Sequence, residues 1–229
     1  MSTLELDHVF VFVEPDHGRP GGRVYDVLTE GGLVETGRRR HEGQGTANVG
    51  FVFDNAFLEL IWVVDVQEAR APELDRAGVN RRADWRFHGG SPYGIAVRTE
   101  GELPFETWPY RFSGMPDDLH MPVAVASDDL AQPFIFQSMR NKRPDTWDNG
   151  AAGERQRPGG FAEIIGIDLT LPQDVAPGAA LSALVDAGIV RLHEGEPGPM
   201  AHEMVLTLSR TDGQKPRRLN IAKFEWLDD

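Results

Sequence analysis

The feature that most limits how this chain can fold is an order of elements that occurs twice, once near each end. From Leu6 to Val13 the apolar residues are β-branched or aromatic and stop at Glu14-Pro15-Asp16, the pattern of a strand entering a turn. Val24, Val27 and Leu28 then recur at helical spacing after Pro20, and Gly31-Gly32 closes the run. Val34 to Arg40 reads as a second strand, and Ala47 to Phe53, Asp54-Asn55 and Ala56 to Val64 read as a hairpin. The order β-α-β-β-β returns in Ile164 to Leu171, a helix bearing Leu181, Leu184 and Val185, and Ile189-Val190 after Gly188. A hairpin of Met204 to Ser209 and Leu219 to Trp226 around Asp212-Gly213 completes it. Pro15 and Pro172 lie 157 positions apart, and Gly32-Leu33-Val34 lies 156 before Gly188-Ile189-Val190. Residues 1–64 and 160–229 therefore read as two copies of one unit, although βα units with a glycine stop are common enough to recur by chance.

Between the copies, Glu68 to Arg82 is polar with scattered Leu74 and Val79, which predicts a connecting helix within residues 65–90. Residues 91–140 carry four strand-like runs, Tyr93-Thr99, Trp108-Phe112, Met121-Ala126 and Phe134-Ser138, and form a candidate third unit that lacks its helix. Residues 141–159, with Pro144, Asn149-Gly150 and Pro158-Gly159, have the composition of a long loop, the kind that serves as a lid or a linker.

Composition removes several functions. The 229 residues include no cysteine, so there is no disulfide, no thiolate metal site and no cysteine nucleophile. With 23 Lys and Arg against 36 Asp and Glu, the formal charge is −13, the opposite of a nucleic-acid footprint. No apolar run approaches the roughly 20 residues of a membrane span, and Met1 to Asp7 lacks the basic start and apolar stretch of a signal peptide. The expectation is a soluble, cytoplasmic protein that binds neither nucleic acid nor membrane.

Alternation along the first strand puts His8, Phe10 and Phe12 on one face and Val9, Val11 and Val13 on the other. Glu59 is one carboxylate inside the apolar run Phe57-Leu58-Glu59-Leu60-Ile61-Trp62. An ionised carboxylate faces solvent, pairs with a cation or binds a metal, because burying it unpaired is expensive. The plain alternative has Glu59 pointing outward and His8 bonded locally. His41-Glu42-Gly43-Gln44-Gly45-Thr46-Ala47-Asn48 adds two glycines that permit close backbone approach, and offers His41, Thr46 and Asn48 as ligand-binding groups. Read plainly, the same segment is a glycine-rich turn.

Taken together, Leu6-Asp7-His8-Val9, the His41 to Asn48 turn and Phe57-Leu58-Glu59-Leu60 resemble the glyoxalase-like branch of the vicinal oxygen chelate superfamily. The resemblance is carried by residues 4–64 and is topological beyond them. It implies an α+β fold of paired βαβββ units forming curved mixed sheets around a cleft, with a divalent metal held by strand residues. His8 and Glu59 match the family's histidine and glutamate ligands. The C-terminal copy departs from the pattern, offering Ile165 opposite His8 and Asn220 near the glutamate position. In the middle segment Gln137 stands in for the glutamate, and His41, His120 and Gln137 are candidates to complete the set.

A metal held by His8, Glu59 and Gln137 has nitrogen and oxygen ligands only, which suits Zn, Mn, Ni or Fe(II). Such a site performs lyase, isomerase or dioxygenase-type chemistry by stabilising charge on a chelated, oxygen-rich small molecule, with Glu59 as the base. The rival reading is a metal-free binding protein for an antibiotic or metabolite. Its walls would come from Trp62 and Trp108, with Trp85, Tyr110 and Trp147 as further aromatic candidates. Arg38, Arg40 and Arg98 are candidates for an anionic substrate. Because paired units often dimerise, a homodimer is a candidate assembly.

Overall fold

The computed structural model describes residues 4–227. The first run folds as expected: β1 (Glu5–Phe12), α1 (Arg23–Glu30), β2 (Gly37–His41), β3 (Thr46–Val52) and β4 (Phe57–Val63). Val24 and Leu28 are the buried residues of α1, and Gly31 caps its end. The middle segment gives β5 (Tyr93–Arg98), β6 (Thr107–Tyr110), β7 (Met121–Ala124) and β8 (Phe134–Gln137), with no helix after its first strand.

These strands make one eight-stranded sheet in the order β2-β3-β4-β1-β5-β8-β7-β6. In each half the first strand lies parallel to the last, β1 beside β4 and β5 beside β8. The halves meet where β1 runs antiparallel to β5. The α+β expectation of paired units and mixed sheets holds, and the partner of the first unit is the middle segment.

The C-terminal part comprises β9 (Phe161–Leu171), α5 (Ala179–Asp186), β10 (Val190–Glu194), β11 (Glu203–Arg210), β12 (Arg217–Asn220) and β13 (Glu225–Leu227). It repeats the linear order but not the pairing, and this corrects the reading of two copies of one unit. Its five strands run β10-β9-β11-β12-β13, so β9 takes the strand directly after its helix as parallel neighbour, not the last strand. Periodicity reports what an element is; its neighbour is set by non-local pairing, which leaves no mark on spacing.

The expected connecting helix is also corrected. Residues 65–90 hold three short helices, α2 (Val66–Ala69), α3 (Val79–Ala83) and α4 (Trp85–His88), with a 3-10 turn at Pro72–Leu74. Pro72 begins that turn, while Gly78 and Gly89 take the left-handed conformation at helix ends, so no continuous helix forms. Among the described residues no helix is long and apolar enough to cross a membrane.

The large sheet is buried on both faces, and alternation decides what each face does. Val9, Val11, Leu58, Leu60, Ile95 and Ile135 share one core with α1 and the C-terminal sheet. Phe10, Phe12, Ile61, Ala96, Phe134 and Phe136 belong to a second core on the other face. Each buried Val, Leu, Ile or Phe side chain contributes roughly 1.5–3 kcal/mol by leaving water.

The C-terminal sheet is docked through specific contacts. The Asn55 side chain accepts from Ile164 N at 3.0 Å and donates to Ile164 O at 2.8 Å, mimicking a strand neighbour. Trp226 Nε1 donates to Val27 O at 3.1 Å, closing over the end of α1. A Cβ at Gly31 would collide with the Trp226 indole. Gly31→Ala is therefore expected to destabilise the fold by about 1–3 kcal/mol, measured by urea unfolding, because the indole must give up its seat.

Candidate functional site

The second face of the large sheet lines a cavity of about 440 Å³. Its walls come from both halves: His8, Phe10 and Phe12 of β1, Phe57, Glu59 and Ile61 of β4, Asn48 of β3, and Phe134 and Phe136 of β8. Ser138, Met139 and Arg140 after β8, with Trp147 and Ala151 of the long loop, add a further wall.

That loop is anchored at its base. Arg155 and Arg157 both pair with the buried Asp54. The Gln156 amide donates to Val34 O at 2.8 Å and accepts from Val34 N at 2.7 Å. Residues 141–159 thus act as a fixed wall rather than a bare linker.

The centre of the polar wall is an adjacent pair, Asp7 and His8. Neighbouring residues of a regular strand point to opposite faces, so their side chains do not meet. Here the register between β1 and β5 shifts between Leu6 and His8, leaving Asp7 as an extra residue on β1. This β-bulge re-aims the carboxylate, as bulges do. His8 Nδ1 lies 2.6 Å from Asp7 Oδ1, and both residues line the cavity. The other Asp7 oxygen has no hydrogen-bond partner among the described residues, and Arg98 Nη1 stands 3.8 Å from it. The His8 ring stacks on Phe57 at 4.3 Å and meets the edge of Phe136 at 5.3 Å.

Burial, the largest single influence on His8, disfavours its charged form; the hydrogen bond to Asp7 and the charges of Glu59 and Asp7 outweigh it and raise the pKa. His41 goes the other way. Burial, then the charges of Arg39 and His8, lower its pKa against the pull of Glu59. Two imidazoles on one cavity are thereby pushed apart, the arrangement that separates an acid from a base.

His41 is held by a hydrogen-bond chain that crosses between the two halves. Gln44 Nε2 donates to Tyr110 Oη at 2.6 Å and Thr46 Oγ1 donates to Gln44 Oε1 at 2.6 Å. Thr46 has a single proton, so towards His41 Nδ1, 2.9 Å away, it accepts. With that amide orientation His41 carries its proton on Nδ1 and leaves Nε2 as an acceptor. Gly43 and Gly45, both at positive φ, give their N–H groups to Glu68 Oε2 at 3.0 Å each, which fixes the turn carrying Gln44.

Several sequence-predicted site residues stand elsewhere. Glu59, His41 and Asn48 line the cavity with His8, and so do Tyr110 and Trp147. Thr46 is fully buried and positions His41 instead of lining the cavity. Trp62 shares the opposite face with Leu58 and Leu60 and lies in the core beneath α1. Trp108 is buried between Arg76 and Tyr110, and Trp85 carries Arg86 over its ring; neither lines the cavity. Gln137 follows Phe136, and alternation puts it on the face of Ile135, away from His8. His120 is exposed. Arg38 lines the cavity while paired with Glu35, Arg40 is paired with Glu42 and Glu68, and Arg98 is buried against Glu5.

Asp7 was open to sequence reasoning, since Asp-His opens β1, but nothing in the spacing announces a bulge. Residues 6–102 match the family model described as a glyoxalase-like domain. The likeness to the glyoxalase-like domain is confined to this segment. The match covers the first half of the large sheet, the short helices and β5. A crystal structure of a hypothetical protein from Staphylococcus aureus is similar over 85% of this chain and 87% of that chain, at 13% identity and a TM-score of 0.47. No curated protein matches the sequence.

Against the four-ligand pattern that the resemblance implies, the donor set is incomplete. Phe57-Leu58-Glu59-Leu60 and Phe134-Ile135-Phe136-Gln137 are the closing strands of the two halves, and their pairings are Glu59 with Phe10 and Phe136 with Ala96. Laying one half on the other puts Phe136 in the place of Glu59 and Gly94 in the place of His8. Gly94 is obligatory there, because a Cβ would run into the Phe10 ring. The second half of a four-ligand site is thus filled by phenylalanine. Among the described residues no three His, Asp or Glu side chains are grouped to hold a metal ion. His8, Glu59 and Gln137 do not fit a resident metal, since Gln137 lies on the opposite face from His8.

The two imidazoles give a direct check. By side-chain NMR, His8 should titrate above and His41 below the ordinary value of about 6.5. The folded chain holds the His8 proton more tightly, so His8 adds stability that is full below about pH 6.5 and fades as pH rises through its folded value. Asp7→Asn should bring the His8 pKa down; an unchanged His8 titration in that variant would contradict the assignment.

Proposed function

We propose that the cavity binds a small organic molecule with an aromatic or apolar body, and that the Asp7–His8 pair exchanges a proton at its oxygen-bearing end. The observation that carries this reading is the bulge that turns a buried carboxylate onto a histidine inside a cavity walled by phenylalanines. The volume, about 440 Å³, is within the range of small-molecule sites.

The chemistry follows from the partners of each nitrogen. Asp7 accepts a hydrogen bond from Nδ1–H, fixes the ring orientation and stabilises the imidazolium, so Nε2 is the atom that faces a ligand. A protonated His8 supports negative charge developing on a ligand oxygen. His41, kept neutral, or Glu59 then accepts a proton from the adjacent carbon, giving isomerase- or lyase-type proton transfer. Glu59 keeps the role of base expected from the sequence, without a metal beside it.

A second reading has one specific observation in its favour. Phe136 and Gly94 occupy the positions twinned with Glu59 and His8, which suits a protein that binds its ligand and leaves it unchanged. The two are separated by one experiment. Aromatic carbonyl compounds that raise the melting temperature are incubated with the protein in D2O, and exchange of the proton next to the carbonyl is followed by NMR. The proposal expects exchange that falls at least a hundredfold or so in His8→Ala while binding persists. Binding without exchange would leave only the second reading, and exchange unaffected by His8→Ala would overturn the role of the pair.

A further inference from the structure

The cavity has a buried charged group which neither the resemblance nor the polar wall calls for. Arg82, on α3, is 1% exposed and lines the cavity, with its guanidinium over the ring of Phe134 at 5.4 Å. An arginine buried this deeply is ordinarily paired with a carboxylate. Among the described residues no carboxylate lies within ion-pair distance of it; Asp128 and Asp129 act on it only through space, and Asp128 is itself paired with Arg76.

Its contacts are all backbone carbonyls. Nε donates to Ala77 O at 3.2 Å, and Nη1 donates to Gln132 O at 2.8 Å with Ser91 O and Leu130 O at 3.4 Å. Nη2 donates to Ser127 O at 2.7 Å. These dipoles hold the group in place, and among the described residues no carboxylate pairs with its charge. Nη2 has one acceptor for two hydrogens, so one N–H is left over.

The strand ladder measures where this charge lies relative to His8. One row across the sheet is His8, Ala96 and Phe136, and the next on the same face is Phe10, Gly94 and Phe134. Phe12 N then bonds Pro92 O, and Arg82 reaches the carbonyls of Ser91 and Gln132 beside that third row. Four residues of strand separate the rows of His8 and Phe12, about 13 Å at 3.3 Å per residue. The floor between them is the Phe10 ring.

Accepting the cavity as a small-molecule site, we infer that its ligand is an elongated aromatic carboxylate, whose carboxylate seats against Arg82 and whose other end reaches His8, His41 and Glu59. The carboxylate takes the spare N–H and supplies the missing counter-charge, and the aromatic body lies along Phe10, Phe134 and Phe136. A neutral or cationic ligand would leave the guanidinium without a counter-charge.

Matched acid and amide pairs test this: indole-3-butyrate against indole-3-butyramide, and 4-phenylbutyrate against 4-phenylbutanamide, by calorimetry on the wild-type chain. The expected result is that each acid binds about ten- to a hundredfold tighter than its amide, the range of a charged hydrogen bond. The acid should also shift the Arg82 Nε–H resonance, which separates this group from Arg38, Arg39 and Arg140 on the walls. Arg82→Gln should level each pair; if that variant does not fold, the wild-type resonance decides. Equal affinities, or a preference for acid with no shift at Arg82, would overturn the inference and leave the cavity reading standing. Failure of every acid and amide to bind would remove both.

Discussion

The contact on which the site depends is the hydrogen bond between two residues that a regular strand would hold apart. A single extra residue in β1 turns Asp7 onto His8, and three consequences follow. The imidazole gains a fixed tautomer. Its charged form survives burial that would otherwise remove it. Its Nδ1 is committed to the carboxylate, which leaves Nε2 alone to meet a ligand. Phe57 and Phe136 pack against the ring, so the pair works in a buried, aromatic setting where its electrostatics are strong.

That setting exists because the large sheet is covered on both faces. The C-terminal sheet and α1 take one face, with Asn55, Trp226 and the seat provided by Gly31 holding them in register. The other face carries the second core, and within it the cavity between the two halves. The long loop, tied down at Asp54 and Val34, adds Trp147 as a wall against Phe57 at 6.1 Å. The His41 chain through Thr46 and Gln44 to Tyr110 links the halves a second time across the cavity.

Much of this was legible in the residues. Period-two alternation put His8, Phe10 and Phe12 on one face and picked out Glu59, because a strand's faces are a local property. What was not legible was non-local. The middle segment, not the C-terminal copy, pairs with the first unit, and no spacing records which strand lies beside β1. Gln137 misses the cavity by one position, and in a strand one position is the opposite face. Trp62 fails for the same reason: it shares its face with Leu58 and Leu60. The expected helix over Glu68 to Arg82 breaks where Pro72 and Gly78 interrupt it. Arg82 closes the polar run from Glu68, and only packing shows it to be buried.

Where the resemblance implies a four-ligand metal centre, the proposed site works through its own side chains. Phe136 and Gly94 fill the twin half, and Asp7 claims the nitrogen of His8 on the other. The most direct test is equilibrium binding of zinc, manganese, nickel and ferrous ions to the full chain, by elemental analysis after dialysis and by calorimetry, with His8→Ala as control. The account predicts no equimolar metal that depends on His8 and Glu59. Close to one equivalent bound by the native chain and lost in His8→Ala would contradict it.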